Sequence, residues 1–114
     1  MKKIAGFFIY SLLLTAAISY GQTNPIATQL ANHIAQKMKD SLGLTEQQRN
    51  QVYDINMQLH NQKMSLRQQY GNSDSTRFYT QRIEGTRDSL YHTIITGNTY
   101  TLYLQKKRNL VTAN

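Results

Sequence analysis

Leu44-Thr45-Glu46-Gln47-Gln48 opens the longest helix-patterned stretch of the chain. Thr45 and Gln48 are spaced as a capping box. The threonine oxygen accepts from the backbone N–H at the third helical position, and the glutamine side chain reaches back to the threonine N–H. Two donors that a helix start leaves without partners are then satisfied together. A blurred copy stands further along, at Ile95-Thr96-Gly97-Asn98-Thr99. There Thr96 keeps the capping position, but Thr99 replaces the glutamine and weakens the reciprocal half.

Working outward from the first head, Asn24-Pro25 reads as a helix start, with Asn as cap and Pro at the first helical position. Ala27, Leu30, Ala31, Ile34 and Met38 follow on one face, and Gly43 ends that helix as a left-handed cap. The second helix runs from Thr45 to about Tyr70. Val52, Ile55, Leu59, Leu66 and Tyr70 approach a heptad seam with a polar gap at Gln62. Gly71-Asn72-Ser73-Asp74 is a turn cluster. A third helix is expected to about Ile95, with Tyr79, Ile83, Leu90 and Ile94 inward and Arg87 interrupting the face. After Gly97-Asn98 a last helix covers about Thr99 to Val111. Tyr100, Tyr103, Leu104, Leu110 and Val111 form its apolar set, and Lys106, Lys107 and Arg108 lie where cations complement the helix dipole. Thr112-Ala113-Asn114 is expected to fray.

Nothing alternates with period two long enough for a sheet, so the expected fold is all-α with four helices. The first and third helices carry few large apolar residues. An open, elongated helical hairpin arrangement completed by dimerisation is therefore favoured over an ordinary monomeric bundle.

The first residues read as an export signal over 1–21. Lys2 and Lys3 are the basic start, Ile4 to Ile18 an uncharged and mostly apolar run, and Ser19-Tyr20-Gly21 a cleavage site before Gln22. The run is short of the roughly 20 apolar residues that span a bilayer. What remains, 22–114, suits one small helical domain. Without Lys2 and Lys3 the 13 basic residues become 11 against 6 acidic ones, a net charge of +5. Such a charge suits anionic headgroups, acidic polymers or acidic unfolded segments. Nucleic acid is disfavoured by the expected compartment. Cysteine is absent, which excludes disulfides, thiol catalysis and a lipid-modified cysteine anchor.

With export, four helices and these two heads, the chain resembles the LTxxQ-motif family of small periplasmic helical proteins, the Spy/CpxP-like group. The resemblance covers roughly Leu42 to Leu110. Its first motif matches at Leu44, Thr45 and Gln48. Its second matches at Thr96, with Ile95 replacing leucine. It implies a periplasmic, all-helical, cradle-like homodimer. The activities it implies are chaperoning without ATP, inhibition of an envelope stress sensor, or a metal response.

Enzymatic machinery is not legible. There is no nucleotide-binding glycine loop and no Ser/His/Asp set at a recognisable spacing. Glu46, Asp54 and Glu84 read as solvated charges, and no cofactor is called for. His33, His60 and His92 fall one to a helix with no i,i+4 pair, so no helix alone supplies two metal ligands, and no metal site is expected.

The aromatic and arginine content is more suggestive. Residues 22–114 hold six tyrosines and one phenylalanine. Arg67, Arg77, Arg82 and Arg87 lie among Tyr70, Phe78, Tyr79 and Tyr91, and Phe78/Arg82 and Arg87/Tyr91 are cation–π spaced pairs. Aromatics at helical spacing can equally be core. Tyr53, Tyr70, Phe78, Tyr79, Arg82 and Arg87 are the candidate surface for unfolded or partly folded envelope proteins, while Leu44, Thr45, Gln48, Ile95 and Thr96 are structural. The alternative is a regulatory or metal-sensing partner of a membrane sensor.

Overall fold

The computed structural model describes residues 25–111, so the expected export segment, the expected Asn24 cap and the last three residues lie outside it. The described chain is helical, with no strand among the described residues. In order it runs α1 (Pro25–Leu42), α2 (Glu46–Tyr70), α3 (Asp74–Gly85), α4 (Arg87–His92) and α5 (Gly97–Leu110). These are the four expected helices with the third divided at Thr86.

Several boundaries have a local cause. At the end of α1, Gly43 takes φ +68°, a conformation that costs a residue with a Cβ. The N–H groups of Gly43 and Leu44 both turn back to the Lys39 carbonyl, at 2.9 and 3.1 Å. The capping box is complete: Thr45 Oγ1 accepts from the Gln48 N–H at 3.1 Å, and the Thr45 N–H donates to Gln48 Oε1 at 2.9 Å. Ser73 caps α3 by accepting from the Thr76 N–H at 3.3 Å.

The third helix was expected to run unbroken, and it does not. Gly85 has low helix propensity, and the Thr86 hydroxyl bonds back to the Ile83 carbonyl at 2.6 Å. The Thr86 N–H also goes to Ile83, at 3.0 Å, tightening the turn.

At the second head, Thr96 makes no side-chain cap bond. Gly97, where the first head has Glu46, sits at φ +62°, so the first residue of α5 is not right-handed helical. That turns the following N–H groups away from the hydroxyl, and no glutamine is there to reciprocate. The last helix begins at Gly97, two residues before its expected start.

The core joins α1, the first half of α2, α4 and α5. Ile34, Ala35, Met38, Leu42, Leu44, Val52, Tyr91, Ile95, Tyr103 and Leu110 form one buried cluster. Leu44 and Ile95, one from each motif, therefore share a core. Burying side chains of this size contributes about 1.5–3 kcal/mol each. Tyr91 and Tyr103 meet edge to face with ring centroids 5.2 Å apart, the favoured geometry for such a pair.

The expected inner faces need four corrections. Leu30, Tyr70, Tyr79 and Leu104 are exposed, at 40%, 39%, 39% and 42%. Tyr91, read as part of an arginine-rich surface, is wholly buried. Half-buried Leu102 packs against the core, in the role expected of Leu104.

Candidate functional site

α3 packs along the second half of α2 and meets α4, without comparable contact to α1 or α5. The hairpin of α2 and α3 therefore has a face that α1 and α5 leave uncovered and to which α4 contributes Leu90. An open groove of about 800 Å³ runs along it. Leu66, Ile83 and Leu90 supply its apolar floor, with Gln58, Gln62 and Gln69 along the α2 side.

Four of the six expected surface residues come together at this hairpin. Tyr70 stacks on Tyr79 with centroids 5.5 Å apart, and Phe78 meets Tyr79 edge to face at 5.3 Å. The Arg82 guanidinium lies 5.8 Å from the Phe78 ring centroid. Tyr79 and Arg82 also line the groove. Phe78 is 54% exposed, so this is apolar surface presented to solvent rather than core.

The other two residues lie elsewhere. Tyr53 is half-buried against the core, beside a separate depression between α1 and α2 that Asn32 and Arg49 also line. Arg87 is drawn inside, its side chain 11% exposed. A group at that depth is not on offer to a surface client, so the reading of Arg87 as part of the binding face is corrected.

Arg87 instead locks the break between α3 and α4. Its Nε and Nη2 engage the Glu84 carboxylate, the latter at 3.1 Å. Its Nη1 donates to Asn56 Oδ1 at 2.7 Å and to the Tyr91 hydroxyl at 2.9 Å. Tyr91 donates to the same Asn56 oxygen, and Lys63 closes on Glu84 from α2. Asn56 Nδ2 reaches the Ala31 carbonyl on α1 at 3.4 Å. The cation–π spacing expected of Arg87 and Tyr91 is present, at 5.8 Å, but within this network.

Charge states follow from these partners. Burial would raise the Glu84 carboxyl, but hydrogen bonds from Arg87 and Lys63 outweigh it and hold it at about 2. Glu84 is thus a paired anion, not the solvated charge expected of it. Burial raises the Tyr91 hydroxyl. Burial, then the bond to Asp88, raises that of Tyr103, which donates to Asp88 Oδ1 at 2.8 Å. Lys107 on α5 closes on the other Asp88 oxygen at 2.7 Å.

The three histidines lie on three different helices. His33 is exposed on α1, His60 is half-buried on α2, and His92 stacks on Tyr100 with centroids 4.0 Å apart. Burial first, then the charges of Lys63 and Arg67, lower the His60 pKa. Among the described residues no three His, Asp or Glu side chains gather in a metal-binding group. None of the described helices is long and apolar enough to cross a membrane.

Sequence reasoning missed Asn56, Lys63 and the glutamine wall. One signal was available: Arg87 interrupts an otherwise apolar face, and a charge there needs buried partners on a facing helix. No family model matches the chain, and neither does any curated protein or solved structure.

Proposed function

We propose that the exported chain is an ATP-independent, chaperone-like protein of the periplasm that holds unfolded or partly folded envelope proteins. The observation that carries this reading is the exposed cluster of Tyr70, Phe78, Tyr79 and Arg82 beside the uncovered groove. Tyrosine offers a large apolar face with a polar edge, and arginine a flat face with charge. Together they hold many sequences loosely, without a shaped pocket for any one. The net charge of +5 over 22–114 adds attraction to acidic segments. The LTxxQ-type heads support the same reading by resemblance.

In this reading the chain works as a cradle-like homodimer, for which Ile26 and Leu30, both exposed and four residues apart at the start of α1, offer apolar surface. The test is light scattering from a denatured model protein diluted into the purified chain from Gln22 onward, with no nucleotide present. Suppressed scattering at modest excess supports the proposal. Unchanged scattering with both an acidic and a basic client removes it and leaves the sensor-partner reading in its place.

A further inference from the structure

We infer that the groove between α2 and α3 takes an amphipathic helix with acidic residues along one flank, rather than an extended chain. The inference rests on the client-binding reading above and specifies the form in which a client segment is held.

The first reason is geometric. Two antiparallel helices packed side by side leave a valley that a third helix fills, its ridges settling between theirs. From Gln58 to Gln69 the valley runs about 17 Å, or roughly three helical turns. That length takes apolar anchors at i, i+3 or i+4, and i+7 of a bound helix. Leu66, Ile83 and Leu90, each half-buried, form a floor for such a stripe. An extended client is usually gripped by pairing with a sheet edge, and there is no strand among the described residues.

The second reason is charge. Arg82 is the one charged side chain among the described residues lining the groove. Its neighbour is the Phe78 ring, and no carboxylate pairs with it in any described ion pair. The glutamines opposite are neutral. A carboxylate on the flank of an incoming helix meets Arg82 without displacing an existing partner, whereas a lysine there meets repulsion.

The test uses the chain from Gln22 onward and three fluorescent peptides, read by anisotropy. One is a Leu/Glu amphipathic helix, the second has the same composition with a central proline, and the third has Lys for Glu. The acidic helix is expected to bind at least about tenfold tighter than the proline peptide. Arg82→Gln should weaken the acidic helix about two- to fivefold and strengthen the lysine peptide by a similar factor as the repulsion is relieved. Ser65→Trp, which crowds the groove from an exposed position without removing packing, should abolish preferential binding while circular dichroism stays unchanged.

Equal binding of the helix and proline peptides, with aggregation still suppressed, overturns the helical form and leaves client binding standing. Failure of every peptide together with unchanged aggregation overturns both. If Ser65→Trp converts a dimer to a monomer, a second copy fills the groove and the inference is wrong.

Discussion

Gln48 ties the two motif heads together: its Nε2 donates to the Ile94 carbonyl at 3.0 Å while its Oε1 accepts from the Thr45 N–H at 2.9 Å. One side chain thus completes the cap of α2 and pins the turn that leads into α5. This gives the glutamine of the first head a task that a capping residue alone does not have, and the second head, with Thr99, has no counterpart.

The capping and bridging tasks separate by substitution. Thr45→Ala should cost about 1 kcal/mol, the usual loss for a threonine cap. Gln48→Glu keeps an acceptor for the Thr45 N–H but removes the donor to Ile94, and should cost about 1–2 kcal/mol. Thr96→Ala, which removes no cap bond, should stay within about 0.5 kcal/mol. Urea midpoints read all three, and equal losses for Thr45→Ala and Thr96→Ala would contradict the difference between the heads.

Arg82 and Arg87 should behave oppositely, although both were read as surface residues. Arg87→Ala leaves Glu84, Asn56 and Tyr91 without a shared donor at the α3–α4 break. It should cost about 2–3 kcal/mol, toward the lower end for a buried pair because Glu84 keeps some contact with water. Arg82→Ala should stay within about 0.5 kcal/mol. Similar chemical-denaturation curves for the two variants would put Arg87 back on the surface.

The Glu84 network also sets an acid limit. The folded-state pKa is depressed to about 2 from an ordinary 4.5, so the unfolded chain takes up the proton first as pH falls. The stabilisation is therefore fully present above about pH 5 and is lost on descent toward pH 2. Asp88, whose bonds from Lys107 and Tyr103 outweigh the burial that would raise it, adds to the same slope. Thermal melts between pH 6 and 2.5 should show the decline, and Glu84→Gln should flatten it. An unchanged slope in that variant would assign acid sensitivity elsewhere.

Much of the fold was legible because its boundaries are local chemistry. Thr45 with Gln48, Gly43 after Leu42 and the Gly71–Ser73 turn each fix a helix end through bonds within a few residues. The break at Thr86 was hidden because its cause is partly distant: Asn56 and Lys63, on another helix, hold Arg87 and Glu84 in place. A polar Asn56 in the α2 stripe gives no periodic signal, yet it is 6% exposed. The site was half legible for the same reason. Tyr70, Phe78, Tyr79 and Arg82 cluster through neighbouring turns of one hairpin, whereas the burial of Arg87 and the separation of Tyr53 depend on how that hairpin docks onto the body.

Salt should divide the binding into two parts. Raising salt from 0.1 to 1 M shortens the Debye length from about 10 to about 3 Å, which weakens attraction of acidic clients but not burial of aromatic surface. Aggregation suppression should fall in part, and Arg82→Ser should remove mainly the salt-sensitive share. Complete loss in high salt would make the aromatic cluster irrelevant to binding.

The most direct measurement compares the wild-type chain with the double variant Phe78→Ser, Tyr79→Ser in suppressing aggregation of a denatured client at 1 M salt without ATP. Both side chains are exposed, so the variant should keep its helices by circular dichroism. The account predicts clear suppression by the wild type and little by the variant. Equal suppression by the two, or none by the wild type against acidic and basic clients alike, would contradict it.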